Sequence, residues 1–175
     1  MDEKTVEMLV RDFFSLRRKN DELQVRLQEY ATPPDRADEK FMKGVLCYLK
    51  ATFLPMSHEI GLRDLYANLR IFAHDYPDPL AAYKYSPVWT RHGTSPFDVS
   101  RIIWGVNRAI GYKTPVVGEF LKVSFPDLYR RSSVRTLASN LIRYDDNMTV
   151  RNIDFGTKLP REWFEELYER EHVKD

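Results

Sequence analysis

Between positions 130 and 143 the chain carries four arginines, Arg130, Arg131, Arg135 and Arg143, interleaved with Ser133, Thr136, Ser139 and Asn140. These are residue types that hydrogen-bond nucleic acid. A guanidinium makes two parallel bonds to guanine, the amide of Asn does the same to adenine, and a Ser or Thr hydroxyl meets either base edge. On a helix, Val134, Leu137, Ala138 and Leu141 share one face, while Arg135, Thr136, Ser139, Asn140 and Arg143 fall largely on the other. The expected chemistry is recognition: Arg135, Ser139 and Asn140 toward bases, Arg130 and Arg131 toward phosphates.

The charge around these residues is local. From Lys113 to Arg143 there are six basic residues and two acidic ones, in a 175-residue chain whose net charge is only +1. A basic face set in a near-neutral protein is the electrostatic footprint of a phosphate-binding surface.

Three helices must position that face. Ser95-Pro96 is a helix start, with Ser as the N-cap and Pro at the first helical position, and Gly111 ends the helix that carries Phe97, Ile102, Ile103, Val106 and Ile110. Thr114-Pro115 starts a second helix over about 116–123, which Phe125-Pro126 breaks, and Ser132-Ser133 caps a third over 134–144. Three short helices with a capped, basic last member predict a helix-turn-helix. The stretch SSVRTLASNLIRY resembles, in a general way, the recognition helix of winged-helix regulators. It departs from that pattern in the segment 124–132, which is longer than the usual tight turn. The alternating residues Met148 to Phe155 then predict one strand or a short β-hairpin ending at Gly156, in the place of a wing, with Arg151 and Lys158 near backbone phosphates. A final helix starts near Pro160 and packs Trp163, Phe164 and Leu167, with a polar tail from Glu169 expected to fray.

The N-terminal region carries a heptad pattern. Val6, Phe13, Asn20 and Leu27 occupy position a, and Leu9, Leu16, Leu23 and Tyr30 occupy position d, without a stutter and without Gly or Pro until Pro33-Pro34. Asn20 is informative. A buried Asn at a costs stability but fixes register, because its amide is satisfied by the matching Asn of an aligned parallel partner. Asp12 at g also faces Arg17 at e of such a partner. The pattern predicts self-pairing as a parallel homodimer. Val10 and Phe14 widen the stripe, as they would for a helix packed on its own domain.

The expected organisation is mainly α: a dimerising coiled-coil helix over 1–31, a Pro-containing linker over 32–39, a helical subdomain over 40–94, and a winged-helix-like domain over 95–175. In the subdomain, helices are predicted over 40–53, with Phe41, Val45, Leu46, Leu49 and Phe53 inward, and over 59–74, with Ile60, Leu62, Leu65, Tyr66, Leu69 and Phe72 as core candidates. The connection 75–95 is rich in rings. Tyr83, Tyr85 and Trp89 read first as cover for the core edge, and second as a contact surface for a protein partner or for unpaired bases.

Catalytic chemistry is not expected. His58, His74, His92 and His172 form no helical H-x-x-x-H pair, the lone Cys47 can build no multi-thiolate site, and no Gly-rich loop precedes a Lys-Ser or Lys-Thr pair. No metal or cofactor is expected; Asp75 and Asp78, in the Asp-Tyr-Pro-Asp-Pro stretch, read as turn residues rather than ligands of a divalent ion. No apolar run reaches the ~18 residues of a membrane span. The opening residues show no signal-peptide pattern, so an intracellular, cytoplasmic protein is expected, in a cell or an infected host. The function expected from the sequence is a dimeric DNA-binding protein, a regulator or an accessory factor of replication or of a mobile element. The alternative is an adaptor or scaffold working through the coiled coil and the aromatic loop.

Overall fold

The computed structural model describes residues 3–30, 38–75, 84–141 and 153–172, with only the backbone described at residues 3, 22–30 and 75. Among these residues there are seven α-helices, one 3-10 turn and no strand: α1 Glu3–Tyr30, α2 Glu39–Thr52, the 3-10 turn Leu54–Met56, α3 Glu59–Asp75, α4 Pro96–Ile110, α5 Thr114–Ser124, α6 Val134–Asn140 and α7 Pro160–His172. The chain divides into two units, Met1–Asp35 and Arg36–Asp175.

The first unit is α1. A 28-residue helix is about 42 Å long at 1.5 Å per residue. The seam residues whose side chains are described, Val6, Leu9, Phe13, Leu16 and Asn20, are all exposed within the single chain. Leu16 is 66% accessible and Phe13 60%, so within α1 these apolar side chains stand largely exposed. Phe14 lies edge-on to Phe13, with ring centroids 5.9 Å apart. The side chains of Leu23, Leu27 and Tyr30 and the whole of the expected linker up to 37 lie outside the described residues.

In the second unit the helix ends follow the local chemistry. The Asp38 carboxylate accepts from the Lys40 N–H at 2.8 Å and caps α2. Pro96 is the first residue of α4, and Gly111, at φ 90°, ends it. α2 and α7 pack closely because Gly44 has no side chain. A Cβ there would lie 1.9 Å from the Phe164 carbonyl oxygen. Phe41, Tyr48 and Phe155 gather edge-on or tilted around Phe164, and the core continues through Leu49, Leu65, Phe72, Ile102, Val106 and Phe120.

Four expectations are corrected. Ile60, expected in the core, is exposed at 62%; Phe97 on α4 is exposed at 46% as well. The third helix of the basic half stops at Asn140, not at position 144. The end of the expected strand is no strand: Phe155 plunges into the core against Trp163 and Phe164, and the Arg108 guanidinium lies 4.7 Å from its ring centroid. Buried anchoring at one residue, with no neighbouring strand among the described residues, leaves no ladder to form; residues 142–152 lie outside the description. Finally, α7 continues through the expected frayed tail to His172, and Glu169 forms an ion pair with Lys40 on α2.

Candidate nucleic-acid interface

The basic segment is held from below by one tyrosine. After Phe125 the chain makes two successive turns, Tyr129 N–H to Phe125 O at 3.1 Å and Ser132 N–H to Tyr129 O at 3.1 Å. The Tyr129 ring is buried, edge-on to Phe125, which in turn stands edge-on to Phe53. Its hydroxyl donates to the Pro96 carbonyl at 2.6 Å and lies 2.8 Å from Ser100 Oγ. A phenol has one proton, so the Ser100 hydroxyl must be the donor in the second bond. With Tyr129 fixed inward, the next two residues, Arg130 and Arg131, are exposed.

α6 then lies across α5. A Cβ at Gly118 would sit 3.0 Å from the Val134 carbonyl oxygen and 3.4 Å from the Ala138 nitrogen, so the glycine sets how closely the helices meet. Leu137 and Leu141 are buried, Val134 and Ala138 half-buried, and Arg135, Thr136 and Ser139 exposed, as helical periodicity predicts. Lys122 on the last turn of α5 reaches across the junction and donates to the Ser132 carbonyl at 2.9 Å.

The hydroxyls expected to meet bases already have partners. Ser133 Oγ accepts from the Thr136 N–H at 3.1 Å and shares a hydrogen bond with Thr136 Oγ1, which makes it the N-cap of α6. Ser139 Oγ donates to the Arg135 carbonyl at 2.9 Å, so only its lone pairs face outward. Asn140 is half-buried and makes a contact of its own. The arginines are therefore the open part of this face. Arg143 and Arg151 lie outside the described residues. Lys158 is placed in an ion pair with Glu166 of α7, away from the α5–α6 group in its chemistry.

Several cations elsewhere in this unit are held in ion pairs. On α2 and α7, Lys40 pairs with Glu169, Lys43 with Glu39, and Arg161 with Asp38 and Glu165. Among the described residues, no carboxylate pairs with Arg130, Arg131, Arg135 or Lys122. Lys122 is one of the six basic residues counted between Lys113 and Arg143, but neither its place at the junction nor the anchoring by Tyr129 was expected from the sequence. The signal was an aromatic residue directly before an Arg pair.

The aromatic connection divides. Tyr85 is half-buried with its ring 5.5 Å from Phe120, at the core edge, whereas Trp89 is 60% exposed; Tyr83 lies outside the described residues. No group of three or more His, Cys, Asp or Glu among the described residues is arranged to hold a metal ion, and no described helix is long and apolar enough to cross a membrane. Burial pushes the Cys47 thiol pKa up, which disfavours the thiolate. The chain matches no protein-family model, no curated protein and no solved structure.

Proposed function

We propose that this chain is a homodimeric DNA-binding protein whose α5–α6 pair carries a winged-helix-like recognition face. The observation that carries the reading is the set Lys122, Arg130, Arg131 and Arg135: exposed cations around one helix junction, none engaged by a carboxylate among the described residues. Surface cations left without acids favour a polyanion, because binding phosphates releases condensed counterions. Arg130, Arg131 and Lys122 would contact phosphates, and Arg135, on the first turn of α6, would reach a base edge. Ser133 and Thr136 serve this face as its cap, holding the short helix that presents Arg135.

Self-pairing through α1 is the second part of the proposal. The exposed Val6, Leu9, Phe13 and Leu16 would supply a seam, and the exposed Asn20 at a would supply its register. A dimer carries two basic faces, which suits a two-fold site.

Electrophoretic mobility shift of duplex DNA at two salt concentrations tests the reading. Affinity should fall on the order of a hundredfold or more between about 50 and 200 mM salt. Arg131→Ala should weaken binding uniformly across sequences and flatten the salt dependence by about one contact, and Arg135→Ala should also relax sequence preference. No shift at either salt, from a protein that still self-associates, would instead make it an adaptor acting through α1.

A further inference from the structure

Trp89 differs from the other two tryptophans. Trp104 and Trp163 are half-buried and pack against the core, whereas Trp89 is 60% exposed and makes no ring contact among the described residues. An exposed indole on a slack loop would mean little, but this backbone is tied on both sides. Ser86 exchanges two hydrogen bonds with the Asn68 amide, at 2.8 and 2.9 Å. Val88 is buried, and its N–H donates to the Ser124 carbonyl at 2.7 Å. The Trp89 carbonyl itself accepts from Ser57 Oγ at 2.6 Å. Arg91 follows with its N–H on the Met56 carbonyl at 2.9 Å and its Nε on the Ser57 carbonyl at 2.8 Å. The ring is thus held out from a fixed main chain.

Its place in the fold gives it a use. Ser124, to which Val88 is bonded, is the last residue of α5 and lies two residues beyond Lys122. Lys122 in turn is bonded to Ser132, next to Arg131. The segment bearing Trp89, the last turn of α5 and the arginine loop therefore meet at one end of α5. A rigid, exposed indole on a segment bonded to the end of α5, and exposed cations on that same end and the loop bonded to it, are the two components of a single-strand site: charges follow the phosphates, and the ring offers a face to an unpaired base.

We propose that Trp89 is a stacking platform for an unpaired base, so that the ligand of this protein is DNA with a single-stranded part. This rests on the DNA-binding reading above and narrows its ligand. The base would lie on the indole while Lys122, Arg130 and Arg131 hold the adjoining phosphates.

The test uses the full chain with two probes, a thymidine oligomer of roughly a dozen nucleotides and a blunt duplex. Indole emission should be quenched by the oligomer. Trp89→Ala should remove most of that quenching and weaken oligomer binding on the order of tenfold, while duplex binding stays as in the parent protein. Trp89→Phe should recover most of the oligomer affinity, since a smaller ring still stacks. Unchanged oligomer affinity in Trp89→Ala would overturn the proposal, and so would an equal loss on both probes. If the parent protein shifts the duplex but not the oligomer, this inference fails and the DNA-binding reading stands. If it shifts neither, both fail.

Discussion

The Tyr129 hydroxyl donates to the Pro96 carbonyl across 2.6 Å, tying the loop that carries Arg130 and Arg131 to the first residue of α4. The same oxygen receives the Ser100 hydroxyl at 2.8 Å, so one buried phenol closes a small network between two elements that are 33 residues apart in sequence. The basic loop owes its position to this network.

Tyr129→Phe should therefore act on both stability and binding. Two hydrogen bonds are lost and the Pro96 carbonyl is left without that donor, at a cost of about 1–3 kcal/mol. Thermal unfolding should shift down by several degrees, on the order expected for a domain of this size. DNA affinity should fall although no DNA-contacting side chain is changed. A shift in melting temperature with full affinity retained would show that Arg130 and Arg131 are positioned some other way.

Gly44→Ala should be strongly destabilising. A Cβ at this position would meet backbone, the Phe164 carbonyl oxygen at 1.9 Å and carbon at 2.5 Å, so α2 and α7 must separate. Overpacking costs typically 1–3 kcal/mol and here should exceed that, outweighing the ~1 kcal/mol that Ala gains over Gly in a helix. Gly118→Ala should be milder, because its nearest atom is 3.0 Å away. Its effect should appear in DNA affinity, through displacement of α6. Denaturant unfolding of both variants, read beside duplex binding, checks the contrast.

The α1 seam predicts opposite responses to two substitutions. Leu16→Lys places a charge at a d position and should shift the sedimentation mass from dimer toward monomer. Asn20→Leu removes the amide that the proposed dimer would bury, and should raise the melting temperature of the assembly while broadening its oligomer distribution, since the register device is gone. A single dimeric species in both variants would remove the seam.

Stability should decline at alkaline pH for a stated reason. Burial pushes the Tyr48 hydroxyl pKa up to about 12, and burial raises that of Tyr129 as well. In the unfolded chain a tyrosine ionises near pH 10. A folded-state pKa above the unfolded one gives stability that is full below about pH 10 and is lost as pH rises through the folded value. Unfolding free energy should thus fall from about pH 10 upward, and Tyr48→Phe should reduce the slope. An unchanged slope in Tyr48→Phe would count against this origin.

Much of this architecture is written locally. The start of α4 at Pro96, the Ser133 cap, the stop at Gly111 and the inward stripe of Leu137 and Leu141 all follow from features within a few residues, which a sequence displays directly, although the Ser95 side chain makes no cap hydrogen bond. Outward projection of Arg135 was legible for the same reason.

The tertiary structure decided everything that depends on a distant partner. Tyr85 and Trp89 are alike in sequence terms, but Phe120 lies against one and the other is left 60% exposed. Phe155 fits an alternating strand pattern until the aromatic cluster around Phe164 takes it into the core. Lys158 and Arg131 read as equivalent cations, yet a glutamate of α7 holds the first. Helix ends are set by short-range hydrogen bonding and backbone sterics, whereas exposure and free charge are set by whichever residues the fold brings alongside, and that second kind of information has no local signature.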